Sequence, residues 1–142
     1  MSTKRHYEDK YWTEGMHMAR ILVVDDSKFI AKALKRTLEN GGHEVVGMGS
    51  DGVEGFELFK NEKPDLTLLD ITMPNRDGRD CLYDIIQSDK DARVIMISAI
   101  KEQEVVDDCL NCGAKDFIQK PLDLNNDDGV QAFYGIINNG LN

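Results

Sequence analysis

Five short runs of aliphatic and β-branched residues punctuate the chain: RILVV (20–24), HEVVGM (43–48), DLTLLD (65–70), RVIMIS (93–98) and AKDFIQ (114–119). Their length and composition predict strands. Between them the apolar positions switch to helical spacing. Ile30, Ala33, Leu34, Thr37 and Leu38 follow that spacing, with Asp26 or Ser27 placed to cap the first turn and Gly41-Gly42 placed to stop the helix. A second helix is predicted around Val53, Phe56, Leu58 and Phe59, closing before Pro64. A third carries Cys81, Leu82, Ile85 and Ile86, and a fourth carries Val105, Val106, Cys109 and Leu110 and ends at Gly113. The segment DLNNDDG (123–129) delays a last helix, whose Val130, Phe133, Ile136 and Ile137 form a short apolar face weakened by Gly135 and Gly140.

Strands alternating with helices of this length build right-handed βαβ units around a parallel sheet. Continuous apolar runs such as ILVV and VIMI suit strands covered on both faces. The expected fold is therefore an open, doubly wound α/β domain with helices on both faces of a five-stranded parallel sheet. At 142 residues the chain suits one domain with a sizeable core. Residues 1–18 fit this pattern poorly, being polar with Tyr7, Tyr11 and Trp12. They are read as an N-terminal extension to a domain at 19–142. A tail, an extra packed helix, and sequence added ahead of a native start at Met16 or Met18 all stay open.

The formal net charge of -9 argues against a nucleic-acid binder, which needs clustered Lys and Arg for phosphate contacts. It suits solubility and basic protein partners. No apolar stretch approaches the roughly 20 residues of a membrane span. The opening MSTKRHYEDKYWTEG has no apolar core of a secretory signal, so a cytoplasmic site is expected. Three cysteines, an odd number, suggest no disulfide framework. Cys109-Leu-Asn-Cys112 matches C-x-x-C but lacks the further ligands of a zinc site, and it sits late in a helix, where a thiolate is not favoured. Both cysteines are read as semi-buried helix residues.

The chemistry concentrates at the strand ends. In TLLDITMPNRDG (67–78) an apolar run finishes abruptly on Asp70 with nothing nearby to neutralise it. An open α/β sheet binds ligands beyond the carboxyl ends of its strands. The first strand ends in Asp25-Asp26, the third in Asp70, the fourth in Ser98-Ala99 and the fifth in Lys120-Pro121. A parallel sheet brings these ends to one edge. Three carboxylates together repel unless a hard divalent cation such as Mg²⁺ joins them, since Mg²⁺ needs only one or two carboxylates and keeps several waters. Lys120 adds a mobile charge and Ser98 a hydroxyl donor. Cation, ammonium and hydroxyl around one carboxylate make a cradle for a tetrahedral oxyanion, most simply a phosphoryl group. An Asp carboxylate can itself attack phosphorus, so Asp70 is the candidate acceptor.

Three rivals are weaker. Gly47-Met48-Gly49-Ser50-Asp51-Gly52 fits the dinucleotide pattern G-x-G-x-x-G, with Asp70 about 20 residues beyond Gly49. It lies in the second βα turn rather than the first, and it leaves Asp25, Asp26, Ser98 and Lys120 without roles. A phosphatase with an Asp nucleophile needs a second acid two residues on, where this chain has Thr72. A docking module that is never phosphorylated leaves the acid pair, Asp70 and Lys120 unexplained.

The order ILVVDDS…TLLDITMPNRDG…VIMISA…DFIQKP resembles the receiver domain of two-component response regulators, over roughly residues 19–122. The resemblance implies a flavodoxin-like strand order 2-1-3-4-5. It implies that Asp70 accepts a phosphoryl group from a phosphohistidine on a sensor histidine kinase or a histidine phosphotransfer protein. Slow self-catalysed phosphorylation and dephosphorylation would accompany this, without the chain being an enzyme. Asp26 and Asp70 would bind Mg²⁺ (or Mn²⁺) directly with the main-chain carbonyl of Thr72, and Asp25 largely through metal-bound water. Ser98, Ala99 and Lys120 would contact the phosphoryl oxygens, and the Lys120–Pro121 bond would be cis. Ser98 and Phe117 would form a switch pair. That pair would bias a face made by the fourth helix, fifth strand and last helix, where a downstream protein binds. With few residues after Lys120 and an acidic charge, the expectation is a stand-alone, chemotaxis-regulator-like receiver acting through protein contact, without nucleic acid or membrane partners.

Overall fold

Each aliphatic run becomes a strand. In the computed structural model, which describes residues 18–142, these are β1 (Arg20–Val24), β2 (Glu44–Gly49), β3 (Leu66–Leu69), β4 (Val94–Ser98) and β5 (Asp116–Gln119). The helices between and after them are α1 (Lys28–Asn40), α2 (Gly52–Glu62), α3 (Gly78–Ser88), α4 (Gln103–Cys112) and α5 (Asp127–Leu141). All neighbouring strands are parallel, in the order β2-β1-β3-β4-β5. The chain thus winds outward in both directions from β1. The crevice of such a sheet opens at the carboxyl ends of β1 and β3, where the winding reverses. The extension expected over 1–18 lies outside the described residues, apart from Met18.

The two-residue period of the strands divides the core. Ile21 and Val23 of β1, Leu66 and Leu68 of β3, and Ile95 and Ile97 of β4 face α1 and α5. Leu22, Val24, Leu69, Val94 and Met96 face α2, α3 and α4. These side chains are at most 1% exposed. Each contributes roughly 1.5–3 kcal/mol of burial, which makes the central strands a rigid base for whatever their ends carry.

Among the described residues, four of the five helix starts are set by short polar side chains, α4 being the exception. Ser27 Oγ accepts from Ile30 N at 3.3 Å, Asp51 Oδ1 from Glu54 N at 2.8 Å, and Asp77 Oδ1 from Arg79 N at 2.9 Å. Each cap contributes about 1 kcal/mol. The segment 123–129 proves to be such a cap. Asn126 donates its amide to the Asp123 carboxylate and accepts from Gly129 N, so the helix starts at Asp127.

Three sequence expectations need correction. Val53 was placed on the buried face of the second helix but is 52% exposed. The helix instead approaches the sheet through Gly55, where a Cβ would lie 2.8 Å from Val24 Cγ1. Gly140 does not weaken the last helix. It is buried, and a Cβ there would meet Ile95 Cδ1 at 2.6 Å, so its absence permits close packing on the sheet. The fifth strand starts at Asp116 rather than Ala114, because Gly113 at φ 128 and buried Ala114 still belong to the turn that ends α4.

Candidate functional site

Three backbone hydrogen bonds continue the strand pairing past the strand ends. Asp25 N donates to Gly49 O, Asp70 N to Val24 O and Lys120 N to Ser98 O, each at 2.9 Å. These bonds bring side chains from β1, β3 and β5 out at a common rim. One carboxylate oxygen each of Asp25, Asp26 and Asp70 lies within 4.8 Å of the others. Asp25 and Asp70 are buried, at 4% and 6% exposure, and Asp26 is exposed. Lys120 Nζ stands 2.9 Å from Asp25 Oδ2 and 3.3 Å from Asp70 Oδ2. The Lys120–Pro121 peptide bond is cis.

The charges do not balance. Burial and then the neighbouring Asp25 charge push the Asp70 carboxyl above its usual value, against the opposing pull of Lys120. For Lys120, burial alone would lower the ammonium's pKa. The hydrogen bond to Asp25 and the charges of Asp70 and Asp25 outweigh it and hold the pKa above the usual lysine value. The two partners shift in the same direction because burial dominates at Asp70, while two carboxylates act together on the one ammonium. Asp70 is left under-compensated, in a cluster whose donors are all hard oxygens. That donor set fits a small divalent cation such as Mg²⁺ or Mn²⁺.

The other predicted residues fall around this rim. Ser98, at the end of β4, is fully buried, and its Oγ accepts from Ile100 N at 3.1 Å. Ala99 is exposed and lines the same groove as Lys120. Thr72 is exposed in the loop between β3 and α3, two residues after Asp70. Phe117 pairs with Met96 in the sheet and packs half-buried on the α2–α4 side. Cys109 and Cys112 lie apart from the rim, and burial raises both thiols.

Sequence reasoning missed what holds the loops. Gly78 N donates to Ile71 O at 2.8 Å, and a Cβ at 78 would lie 1.9 Å from Asp70 O. Only glycine lets the chain pass directly behind Asp70. The available signal was a glycine after a capping Asp, at a helix start, where helix propensity does not favour it. The glycines of GMGSDG have a similar use. Gly52 N donates to Arg76 O at 2.7 Å, and a Cβ there would approach that oxygen to 2.3 Å, while a Cβ at Gly49 would press on the Gly55 backbone at 3.2 Å. Arg76 Nε pairs with Asp84 Oδ2 at 2.7 Å, and Gln119 Nε2 donates to Ile100 O at 2.8 Å across the β4–α4 loop. Beside the rim runs a groove of about 560 Å³ between α1 and the segment after β5, lined by Phe29, Ile30, Ala33, Pro121, Leu122 and Leu124. Phe29 is 84% exposed there.

A sequence profile for the response regulator receiver domain matches residues 21–128, a span that includes the rim residues 25, 26, 70, 98 and 120. The chain belongs to the response regulator receiver family. This receiver is 46% identical over 103 residues to the chemotaxis protein CheY of Bacillus subtilis, covering 72% of this chain and 86% of that protein. It is also 46% identical over 106 residues to CheY of Treponema pallidum, covering 73% of this chain and 74% of that one. A chain in the CheX–CheY–BeF₃–Mg²⁺ complex of Borrelia burgdorferi superposes with a TM-score of 0.76 at 42% identity, over 83% of this chain and 88% of that chain. The receiver is thus a CheY-like response regulator domain with the flavodoxin-like strand order, and its family is one of phospho-accepting signalling domains rather than classical enzymes. Among the described residues no helix is long and apolar enough to cross a membrane.

Proposed function

We propose that Asp70 accepts a phosphoryl group from a phosphohistidine of a sensor kinase or histidine phosphotransfer protein, in a reaction that requires Mg²⁺ or Mn²⁺, and that the receiver then signals through a protein-binding face. The observation that carries this reading is the sharing of Lys120 between Asp25 and Asp70 at 2.9 and 3.3 Å, in a rim with more negative charge than one ammonium offsets. Asp25, Asp26, Asp70 and the Thr72 carbonyl would hold the divalent cation, which when bound supplies charge neutralisation for incoming phosphoryl oxygens.

In the transfer, an Asp70 carboxylate oxygen forms a bond to phosphorus. The bond from phosphorus to the donor imidazole nitrogen breaks, and its electron pair returns to the ring, which takes a proton from solvent. Lys120 moves from Asp70 onto a phosphoryl oxygen, the Ala99 backbone lies at the cradle's edge, and the Ser98 hydroxyl turns toward the new group. That turn pulls on Ile100 through the hydroxyl's hydrogen bond and opens space for Phe117, biasing the face of α4, β5 and α5. The apolar groove with exposed Phe29 offers a donor protein a footing beside the rim. A protein like CheX, which the Borrelia burgdorferi complex contains, is a reasonable class of downstream target.

The test is incubation with phosphoramidate and Mg²⁺ followed by intact-mass measurement. One added phosphoryl group, lost in Asp70→Asn and in chelator, is expected. No mass gain, or a gain that survives Asp70→Asn, defeats the acceptor reading and leaves the docking-module alternative. Sustained turnover of phosphate esters would instead support the Asp-nucleophile phosphatase.

A further inference from the structure

The loop between β3 and α3 carries Thr72 away from the rigid strand that fixes Asp70. Most of its anchors bind it to itself or to the helix that follows. Gly78 N donates to Ile71 O at 2.8 Å, Arg76 N to Pro74 O at 2.7 Å, and the Arg76 side chain to Asp84 at 2.7 Å. Two contacts reach a different part of the molecule, the start of α2. Asn75 Nδ2 donates to Asp51 Oδ2 at 2.6 Å, and Gly52 N donates to Arg76 O at 2.7 Å. Asp51 is committed on both oxygens, since its Oδ1 accepts from Glu54 N at 2.8 Å as the cap of α2. The N–H of Glu54, then the Asn75 amide, hold its carboxyl below the usual value, so it accepts as an anion. Asn75 sits at φ 66, a conformation that Asn tolerates far better than most residues with a side chain.

We infer that Asn75 and Asp51 form a positioning clasp, which fixes the β3–α3 loop so that the Thr72 main-chain carbonyl is held in register with the Asp70 carboxylate for a divalent cation. This rests on the metal-site reading above. Asp70 is placed by the sheet, whereas a carbonyl two residues into an irregular loop is only as well placed as the loop's tie to another element. Mg²⁺ demands near-ideal octahedral geometry at short distances, and Ca²⁺ accepts flexible geometry and longer ones. A loosened loop therefore penalises Mg²⁺ more than Ca²⁺. A residue that merely supported the fold would not change the ratio of the two affinities.

The test compares Mg²⁺ and Ca²⁺ affinities by calorimetry, with thermal melts as a check on folding. Asn75→Gly deletes the amide, keeps the backbone conformation accessible and leaves the charge unchanged. It is expected to weaken Mg²⁺ about fivefold, the net worth of one solvent-exposed hydrogen bond, with a smaller effect on Ca²⁺. The swapped pair Asp51→Asn with Asn75→Asp keeps the α2 cap, the net charge and a donor–acceptor match across the gap. It is expected to restore the parent's Mg²⁺ affinity and Mg²⁺/Ca²⁺ ratio. An unchanged Mg²⁺/Ca²⁺ ratio in Asn75→Gly, or a swapped pair as weak as Asn75→Gly, overturns the clasp. Asp26→Ala separates the failures. If it abolishes Mg²⁺ binding while Asn75→Gly does nothing, only the clasp falls; if it leaves Mg²⁺ binding intact, the metal-site reading falls and the clasp with it.

Discussion

Replacing Asp70 by Asn removes one negative charge from the rim and keeps the side chain's shape. Without divalent cation, the variant is expected to be more stable than the parent at neutral pH. Asp25 and Asp70 place oxygens within 4.8 Å of each other, a repulsion of about 3.5 kcal/mol at an effective dielectric constant of about 20. Lys120 at 3.3 Å from Asp70 offsets this with about 5 kcal/mol on the same scale. The remaining attraction is smaller than the several kcal/mol that burying a carboxylate costs. Desolvation therefore wins, consistent with the raised carboxyl of Asp70. The amide escapes this cost and leaves Lys120 to Asp25. The expected gain is about 1–2 kcal/mol, read as a Tm higher by about 3–6 °C. Urea or thermal unfolding in chelator measures it.

The pH dependence gives the argument its sign. A carboxyl whose folded pKa lies above its unfolded value adds stability that is fully present below the unfolded value, 3.8, and lost as pH rises through the folded one. The gap between variant and parent should be open at neutral pH and close as pH falls toward 3.8. Adding Mg²⁺ should narrow it from the other side by stabilising the parent. A variant no more stable than the parent at neutral pH in chelator, or a gap indifferent to pH, refutes the reasoning.

Asp26→Ala should reduce Mg²⁺ affinity at least tenfold by calorimetry, because it removes an exposed oxygen donor without leaving a buried charge unpaired. Lys120→Ala should still take up phosphoryl from phosphoramidate but fail to pass the signal on, seen as equal affinity for a target protein with and without phosphorylation. Gly78→Ala should destabilise the fold by about 3 kcal/mol or more in urea titrations, because its Cβ would lie 1.9 Å from a backbone oxygen that cannot swing aside. Cys81 is fully buried with its thiol pushed up to about 12 by burial and then by Asp84, so it should resist iodoacetamide under native conditions while half-buried Cys112 reacts first. Equal labelling rates would show that α3 opens on the time scale of the reaction.

Read alone, the chain determined the fold class and which polar groups gather at one edge of the sheet. Aliphatic runs such as ILVV and VIMI can satisfy themselves only inside a covered parallel sheet, and a parallel sheet collects its strand ends at one edge. Asp25, Asp26, Asp70 and Ser98 were legible as rim residues for that reason, since each sits where a run of buried residues stops, and Lys120 was legible because it directly follows the last strand, which is only partly buried. What the tertiary structure decided was everything that depends on two distant backbones approaching. Gly140 looked like a weak point in its helix and is, like Gly55, a contact point with the sheet. Gly52 looked like part of a phosphate loop and instead lets the Arg76 carbonyl come close. The tie from Asn75 to Asp51 and the division of Lys120 between Asp25 and Asp70 leave no local trace. A hydrogen bond between residues 24 or 95 positions apart follows from where the folded elements meet and not from the residues beside it. Local pattern reports the environment of one element at a time, whereas distances between elements are set by packing the whole core.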